Sequence, residues 1–310
     1  MTSRKKSITR YTSKAEAGIE IGPYMNPLCP KRDGYRVTTV DVFSTEQLKE
    51  KLLADPYIDS SKLDLIEEVD IVYNGIQLKE SIESSIQVKK REFKYIVSSH
   101  NFEHLPNPIK FLKDCEHLLA CDGVLSMAIP ISTRCFDIFR QLSSTGDLLD
   151  AYYCDVKKPS LGCVYDAHSL HAQLDITADE EPSIKSASLS QSHRTAFEIL
   201  KNSDKGEYVD SHCSRFTPSS FQYILAELND LGIVGLTIQE ILVLGSEFIV
   251  HMSKLPNTGE PLNIETRNKL LKAALIEYSQ LFVDKPWWFR KLRQLGVRGL
   301  KHAWFDYSPK

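Results

Sequence analysis

Ala17-Gly18-Ile19-Glu20-Ile21-Gly22-Pro23-Tyr24-Met25-Asn26-Pro27 is the stretch from which the rest of the chain is read. It is a short apolar strand carrying one acidic residue, broken at once by Gly22-Pro23. A turn at the carboxyl end of a first strand is where open α/β sheets bind nucleoside cofactors. Gly22 can adopt backbone angles closed to other residues and admits a ligand close to the main chain. Glu20 is unusual for a buried strand, because a carboxylate there needs partners.

Working outward, the next β-branched run is Tyr35-Arg36-Val37-Thr38-Thr39-Val40-Asp41. Its closing acid lies roughly 20 residues beyond the glycine turn, the offset at which nucleoside-binding sheets place a carboxylate for ribose hydroxyls. A helix follows over 44–54, with Thr45 as cap and Leu48, Leu52 and Leu53 on one face. Glu68–Tyr73 reads as a third strand leaving through Asn74-Gly75, and 79–86 as a short helix. Phe93–Ser99 is a fourth strand, and it runs into His100-Asn101-Phe102-Glu103-His104, the densest group of titratable side chains in the chain. Pro106-Asn107-Pro108 opens a helix carrying Phe111, Leu112, Cys115, Leu118 and Leu119. Cys121-Asp122-Gly123 closes it, and the almost wholly apolar run Val124–Ile129 reads as a fifth strand, as expected at the centre of a parallel sheet. Strand and helix thus alternate to about residue 130, a doubly wound α/β pattern.

The alternation then stops. Residues 131–215 read as an insertion with helical pieces at 135–143, 145–153 and 193–202. Between them stand a loop with Pro159, Ser160, Gly162 and Asp166, and an acidic, solvated run over 175–192. Regularity resumes at Thr217-Pro218, a cap and first turn for a helix bearing Phe221, Ile224, Leu225 and Leu228, stopped at Gly232. Leu236–Val243 and Glu247–Met252 form a hairpin through Gly245-Ser246. A last helix over 263–282 aligns Ile264, Leu271, Leu275, Tyr278 and Phe282. The basic segment 1–16 is read as an arm, helical towards Lys14-Ala15-Glu16.

The chain of 310 residues has 42% hydrophobic and 25% charged residues, the composition of a soluble globular protein with a sizeable core. Its formal net charge of −3 argues against a general nucleic-acid binder. Seven cysteines lack CxxC or zinc-knuckle spacing, so no metal site is expected from them and free thiols in a reducing cytoplasm are. No signal peptide and no bilayer-spanning run are read. The segment from Lys285 through Trp287, Trp288, Arg290, Arg293, Lys301, Trp304 and Phe305 interleaves aromatics with cations. It reads as a helix packed on the domain, or as a surface for a protein partner or for the inner face of a membrane.

The glycine turn, the acid after strand two and Ser99-His100-Asn101-Phe102-Glu103-His104-Leu105 converge on one resemblance. The chain resembles the class I S-adenosylmethionine-dependent methyltransferases. It is most similar to a branch with Glu-Ile-Gly-Pro and Asn-Pro in its first motif, here 20–23 and 26–27, often found with polysaccharide and glycosyltransferase functions. The resemblance implies a Rossmann-like, mostly parallel seven-stranded sheet ending in an antiparallel hairpin. It implies S-adenosylmethionine as cofactor and S-adenosylhomocysteine as product. Glu20, Gly22 and Pro23 would line the methionine part and adenosine, Asp41 the ribose, and Asn74 and Gly75 the adenine. Ser99 and His100 would lie near the sulfonium. The implied layout is a cofactor half at 17–130, an acceptor-site lid at 131–215, the end of the α/β domain at 216–255 and a helical tail at 256–310. The chain departs from the family in having only Gly22 of three spaced glycines, with Tyr24 and Asn26 in the other places, and Lys94 where an acid is common.

The implied activity is O-methylation of a sugar, glycan or small-molecule hydroxyl in the cytoplasm, aided by a histidine base. The candidates run from His100, through His168 with Asp166, to His104; His212 is assigned to a loop entering Phe216-Thr217-Pro218. His100-Asn101-Phe102-Glu103-His104 also spells HxxEH, a zinc-hydrolase pattern that requires these residues to lie within a helix. A third reading is an inactive scaffold of the same fold that binds a partner or membrane.

Overall fold

The computed structural model describes residues 3–56, 58–85, 93–174, 184–206, 209–254 and 261–282. Helix α1 (Ser3–Ile8) precedes β1 (Ala17–Ile21), β2 (Arg36–Asp41), α2 (Thr45–Ala54), β3 (Ile71–Val72) and α3 (Leu78–Ser84). Then come β4 (Phe93–Ser99), α4 (Pro108–Leu118) and β5 (Leu119–Pro130). The segment beyond holds α5 (Thr145–Tyr153), α6 (Leu161–Ser169), β6 (Ala172–Leu174), β7 (Ala187–Leu189) and α7 (His193–Asp204). The chain returns to the sheet through α8 (Pro218–Asp230), β8 (Thr237–Leu244) and β9 (Glu247–Ser253), and α9 (Ile264–Ser279) follows.

The main sheet runs β3-β2-β1-β4-β5-β9-β8. Its first five strands are parallel; β9 pairs antiparallel with β5, and the edge strand β8 pairs antiparallel with β9 and so runs with the first five again. This is the Rossmann-like seven-stranded sheet with an antiparallel edge expected from the sequence. Connections reverse direction between β1 and β4, so a crevice opens at their carboxyl ends. Register brings the sequence candidates there. Ile21 pairs with Val40 on one side and Ser98 on the other. Gly22, Asp41 and Ser99, each one residue further on, therefore arrive side by side.

One face of the sheet carries Ile19, Ile21, Leu125, Met127, Phe248 and Val250 against α3, α4 and α8, which contribute Leu78, Leu112 and Leu225. The other face packs Tyr95, Val97, Ala128 and Ile249 against Ile8 of α1 and Leu28 and Cys29 of the loop after β1. Pro23, Pro27 and Pro30 leave that loop without a helix; one 3-10 turn, Lys31–Asp33, is its only regular structure among the described residues. Tyr95 lies across β1, so a Cβ at Gly18 would meet its ring at 2.0 Å.

Local signals placed most boundaries. Asn107 caps α4, and Thr217 with Ser220 forms a reciprocal cap on α8. Ser44, not Thr45, caps α2. Other expectations are corrected. The arm's helix is at its start, 3–8, not near residue 15. No α-helix forms over 135–143, because Asp137 and Arg140 turn into a buried ion pair and Ser143 bonds Arg215 across the fold. The Ser160-Leu161-Gly162 stretch, read as loop, starts α6: the Ser160 hydroxyl accepts from the Cys163 amide. Residues 187–189, read as part of a solvated run, form β7 paired with β6. The stripe expected on α9 is split, since Ile264 and Leu275 are exposed while Ala274 is buried. The helix packs on α8, and Ile264, Leu275 and Ile276 remain exposed among the described residues. All seven cysteines are free. Among the described residues no helix is long and apolar enough to cross a membrane. The basic-aromatic run from Lys285 and the acids of 175–183 lie outside the described residues.

Candidate active site

The rim is built by the loops leaving β1, β2 and β4. Gly22 has φ +65° and donates its amide to the Val40 carbonyl at 2.9 Å, which bends the chain away from the sheet. Tyr24 (φ 44°) and His100 (φ 50°) sit in the same left-handed region on the loops after β1 and β4. Such strain in residues bearing a Cβ concentrates at functional sites.

Asp41 is buried at the end of β2, and its Oδ1 accepts from the Phe43 amide at 3.1 Å. Burial raises its carboxyl pKa, while the Phe43 and Val42 amides oppose the rise. Asn74 folds onto its own turn: Oδ1 accepts from the Ile76 and Gln77 amides, and Nδ2 donates to the Gln77 side chain. It fixes the shape of the turn at Gly75 (φ 79°) at the next strand end. Ser99 Oγ accepts from Arg4 of α1 at 2.8 Å.

Glu20 is turned away from this rim. Its two oxygens accept from the Leu28 and Cys29 amides at 2.6 and 2.9 Å, and the side chain is buried beneath the loop. The expectation that it lines the cofactor is corrected on this geometry; it braces the loop that Gly22 begins. Burial outweighs the two amides and lifts the carboxyl pKa to about 7 from an ordinary 4.5. The folded chain therefore holds this proton between those two pH values and the unfolded chain does not. The contribution to stability is fully present below about pH 4.5 and is lost as pH rises through 7, on the order of 3 kcal/mol in all. Glu20→Gln should remove that dependence. Urea midpoints at pH 5 and pH 8 should show the wild type losing ground to the variant at the higher pH; parallel shifts would refute the assignment.

His100, ranked first as base, is held between carboxylates. Nε2 lies 2.9 Å from Glu247, and Nδ1 lies 3.4 Å from Glu103. These two acids push its pKa up to about 9 against the effect of burial. Burial would raise Glu247 in turn, but His100 and the Arg4 guanidinium hold it at about 2. His100 is thus a cation and a donor near neutrality, which corrects its reading as proton acceptor. His168 is kept neutral, first by burial and then by neighbouring His171. Asp166 does not serve it: residues two apart on a helix face different ways, and Asp166 is exposed on α6.

A buried polar cluster that the sequence did not show adjoins His100. His212 Nδ1 bonds Asp137 at 2.5 Å, and Arg140 pairs with Asp137 at 2.8 Å while donating to the His212 carbonyl at 3.0 Å. His104 Nδ1 lies 2.8 Å from Asp210, and its ring stands edge-on to His212 at 4.6 Å. Glu103 sits at the centre, 1% exposed, with neither carboxylate oxygen accepting a hydrogen bond among the described residues. Its main-chain carbonyl is taken by the Cys213 and Ser214 amides. His212 and Asp137 are far apart in sequence and share no motif, so no spacing signal could have paired them. The HxxEH reading fails on geometry: Phe102–His104 is one 3-10 turn, and no α-helix carries both histidines.

Fold and rim together define a Rossmann-like methyltransferase class. A family described as "Methyltransferase domain" matches residues 11–176, more than half of the chain, and the protein belongs to that family. Solved structures similar to it include the CcbJ methyltransferase from Streptomyces caelestis, at 10% identity over 81% of this chain and 94% of that one, with a TM-score of 0.41. A SAM-dependent methyltransferase from Aquifex aeolicus is 11% identical over 82% of this chain and 90% of that one, with a TM-score of 0.35. The glycopeptide N-methyltransferase MtfA, solved with S-adenosylmethionine, is 10% identical over 82% of this chain and 93% of that one, with a TM-score of 0.37. Comparison with curated proteins finds no match.

Proposed function

We propose that this protein binds S-adenosylmethionine at the β1–β4 crevice and transfers its methyl group to a hydroxyl of a sugar, glycan or small molecule. The observation that carries the reading is the register that sets Gly22, Asp41 and Ser99 on three adjacent strand ends. Gly22 and Pro23 give the cofactor main-chain approach, and Asp41 accepts from the ribose hydroxyls. Asn74 and Gly75 shape the adenine border, and Ser99 and His100 flank the sulfonium. The acceptor enters over the segment 131–215.

Methyl transfer is an in-line displacement at carbon, in which alignment of acceptor oxygen, methyl and sulfur can supply up to roughly 7–11 kcal/mol. In this reading His100 orients groups as a donor. His168, kept neutral, takes the hydroxyl proton. The setting is the cytoplasm, with the basic-aromatic segment available to a partner or membrane surface.

Incubation with methyl-labelled S-adenosylmethionine and a panel of nucleotide sugars, lipid-linked glycans and small hydroxylic acceptors tests this. Label is expected in a member of that panel. Transfer only to protein or nucleic acid would end the glycan reading. A second reading, a non-catalytic scaffold, is favoured by one feature: Tyr24 and Asn26 stand where the resembled motif has glycines. Calorimetry separates the two, since a scaffold of that kind shows no cofactor binding.

A further inference from the structure

Glu103, His104 and His212 present one carboxylate oxygen and two imidazole nitrogens, all within 4.8 Å of one another. His104 Nε2 lies 3.8 Å and His212 Nε2 4.0 Å from Glu103 Oε1, too long for hydrogen bonds. An ion that binds such donors at about 2.0–2.2 Å sets them roughly 3–3.5 Å apart. Binding would therefore draw the three donors closer together.

Two further observations point to a cation. Glu103 is buried with no hydrogen bond to either oxygen among the described residues; the His100 ring faces Oε1 from 3.4 Å without closing such a bond, and a buried carboxylate with no closer donor is costly. Each histidine also has a carboxylate on its far nitrogen, Asp210 on His104 Nδ1 and Asp137 on His212 Nδ1. The bond to Asp137 places the His212 proton on Nδ1 and turns its Nε2 lone pair toward Glu103, as outer carboxylates do for metal-bound histidines, while Asp210 stands beside His104 Nδ1. Arg140 pairs with Asp137, so that carboxylate is offset independently of the two rings.

We infer that Glu103, His104 Nε2 and His212 Nε2 form a site for a divalent first-row transition-metal ion, open on its remaining positions. A two-histidine, one-carboxylate set suits zinc, cobalt, manganese or iron rather than calcium or magnesium. Resting on the methyltransferase reading, the site's use is to bind the acceptor oxygen. A hydroxyl coordinated to such an ion loses its proton more readily, and the resulting oxygen is the nucleophile that methyl transfer requires. The proton leaves to His168 or water, the new O–CH3 bond forms as the S–CH3 bond breaks, and the electron pair stays on sulfur.

Cobalt(II) titration of the chelator-treated full-length chain, followed by visible absorption, reads the site directly. One equivalent is expected to give d–d bands, and Glu103→Gln and His212→Ala are each expected to weaken cobalt binding at least tenfold. Far-UV circular dichroism confirms that the variants fold, and His117→Ala, an exposed histidine elsewhere, is expected to bind like the wild type. Absence of stoichiometric binding, or binding unchanged in both site variants, would overturn the inference. Parallel calorimetry with S-adenosylmethionine keeps the two readings apart. Cofactor binding without cobalt binding defeats the metal site alone. Cobalt binding without cofactor binding keeps the site and defeats its assignment to methyl transfer.

Discussion

Asp41→Ala is expected to weaken S-adenosylmethionine binding at least 100-fold, to below detection by calorimetry if the wild type binds in the micromolar range. Asp41 closes β2 level with Val72 on β3 and one residue past the Val40–Ile21 pair, so its carboxylate stands at the rim. One oxygen is occupied by the Phe43 amide, which holds the group in place. The carboxylate can still accept from two vicinal hydroxyls. Hydrogen bonds to a charged acceptor contribute about 1.5–3 kcal/mol each, so the loss of two spans roughly two to four orders of magnitude. Asp41→Asn retains the amide bond and should keep the melting temperature near that of the wild type while still binding weakly. Unchanged affinity in Asp41→Ala would move the ribose elsewhere and take the cofactor assignment with it.

Asp137→Ala is expected to lower stability by about 3–5 kcal/mol, seen as a drop in urea midpoint. Asp137 and Arg140 are 2% and 3% exposed, and the acid also bonds His212. Burial raises the Asp137 carboxyl pKa, but the His212 bond and Arg140 overcome that and keep it below the ordinary value. Removing the acid strands a guanidinium in a dry interior. The double variant Asp137→Leu/Arg140→Met should recover most of the loss, because the stranded charge, rather than the absent bond, accounts for the penalty. A single-variant loss under 1 kcal/mol, the range of an exposed pair, would show that water reaches this network.

Much of the rim at the β1–β4 strand ends was legible because its signals are local. Gly22-Pro23 ends a strand through backbone angles alone, and Asp41 ends the next strand at a fixed chain offset. In a parallel sheet a ladder then lines strand ends up automatically. Errors arose where one residue type serves two purposes. Ser160 and Gly162 signalled a loop, yet serine is also a preferred helix cap, and α6 begins there. The 135–143 stretch has helical spacing, but its two charged residues find each other in the interior instead.

By itself, then, the chain's order of residues determined the alternation of strand and helix, the bends at Gly22 and Gly75, the acid at Asp41 and the hairpin through Gly245. Each depends on torsion, capping or periodicity within a few residues. Only the tertiary structure decided that Glu20 bends under its loop and that His100 is charged. It alone brought Asp137 and His212 to Glu103 and His104. Protonation state and ligand geometry depend on burial and on neighbours supplied from distant parts of the chain, and no short window of sequence contains either.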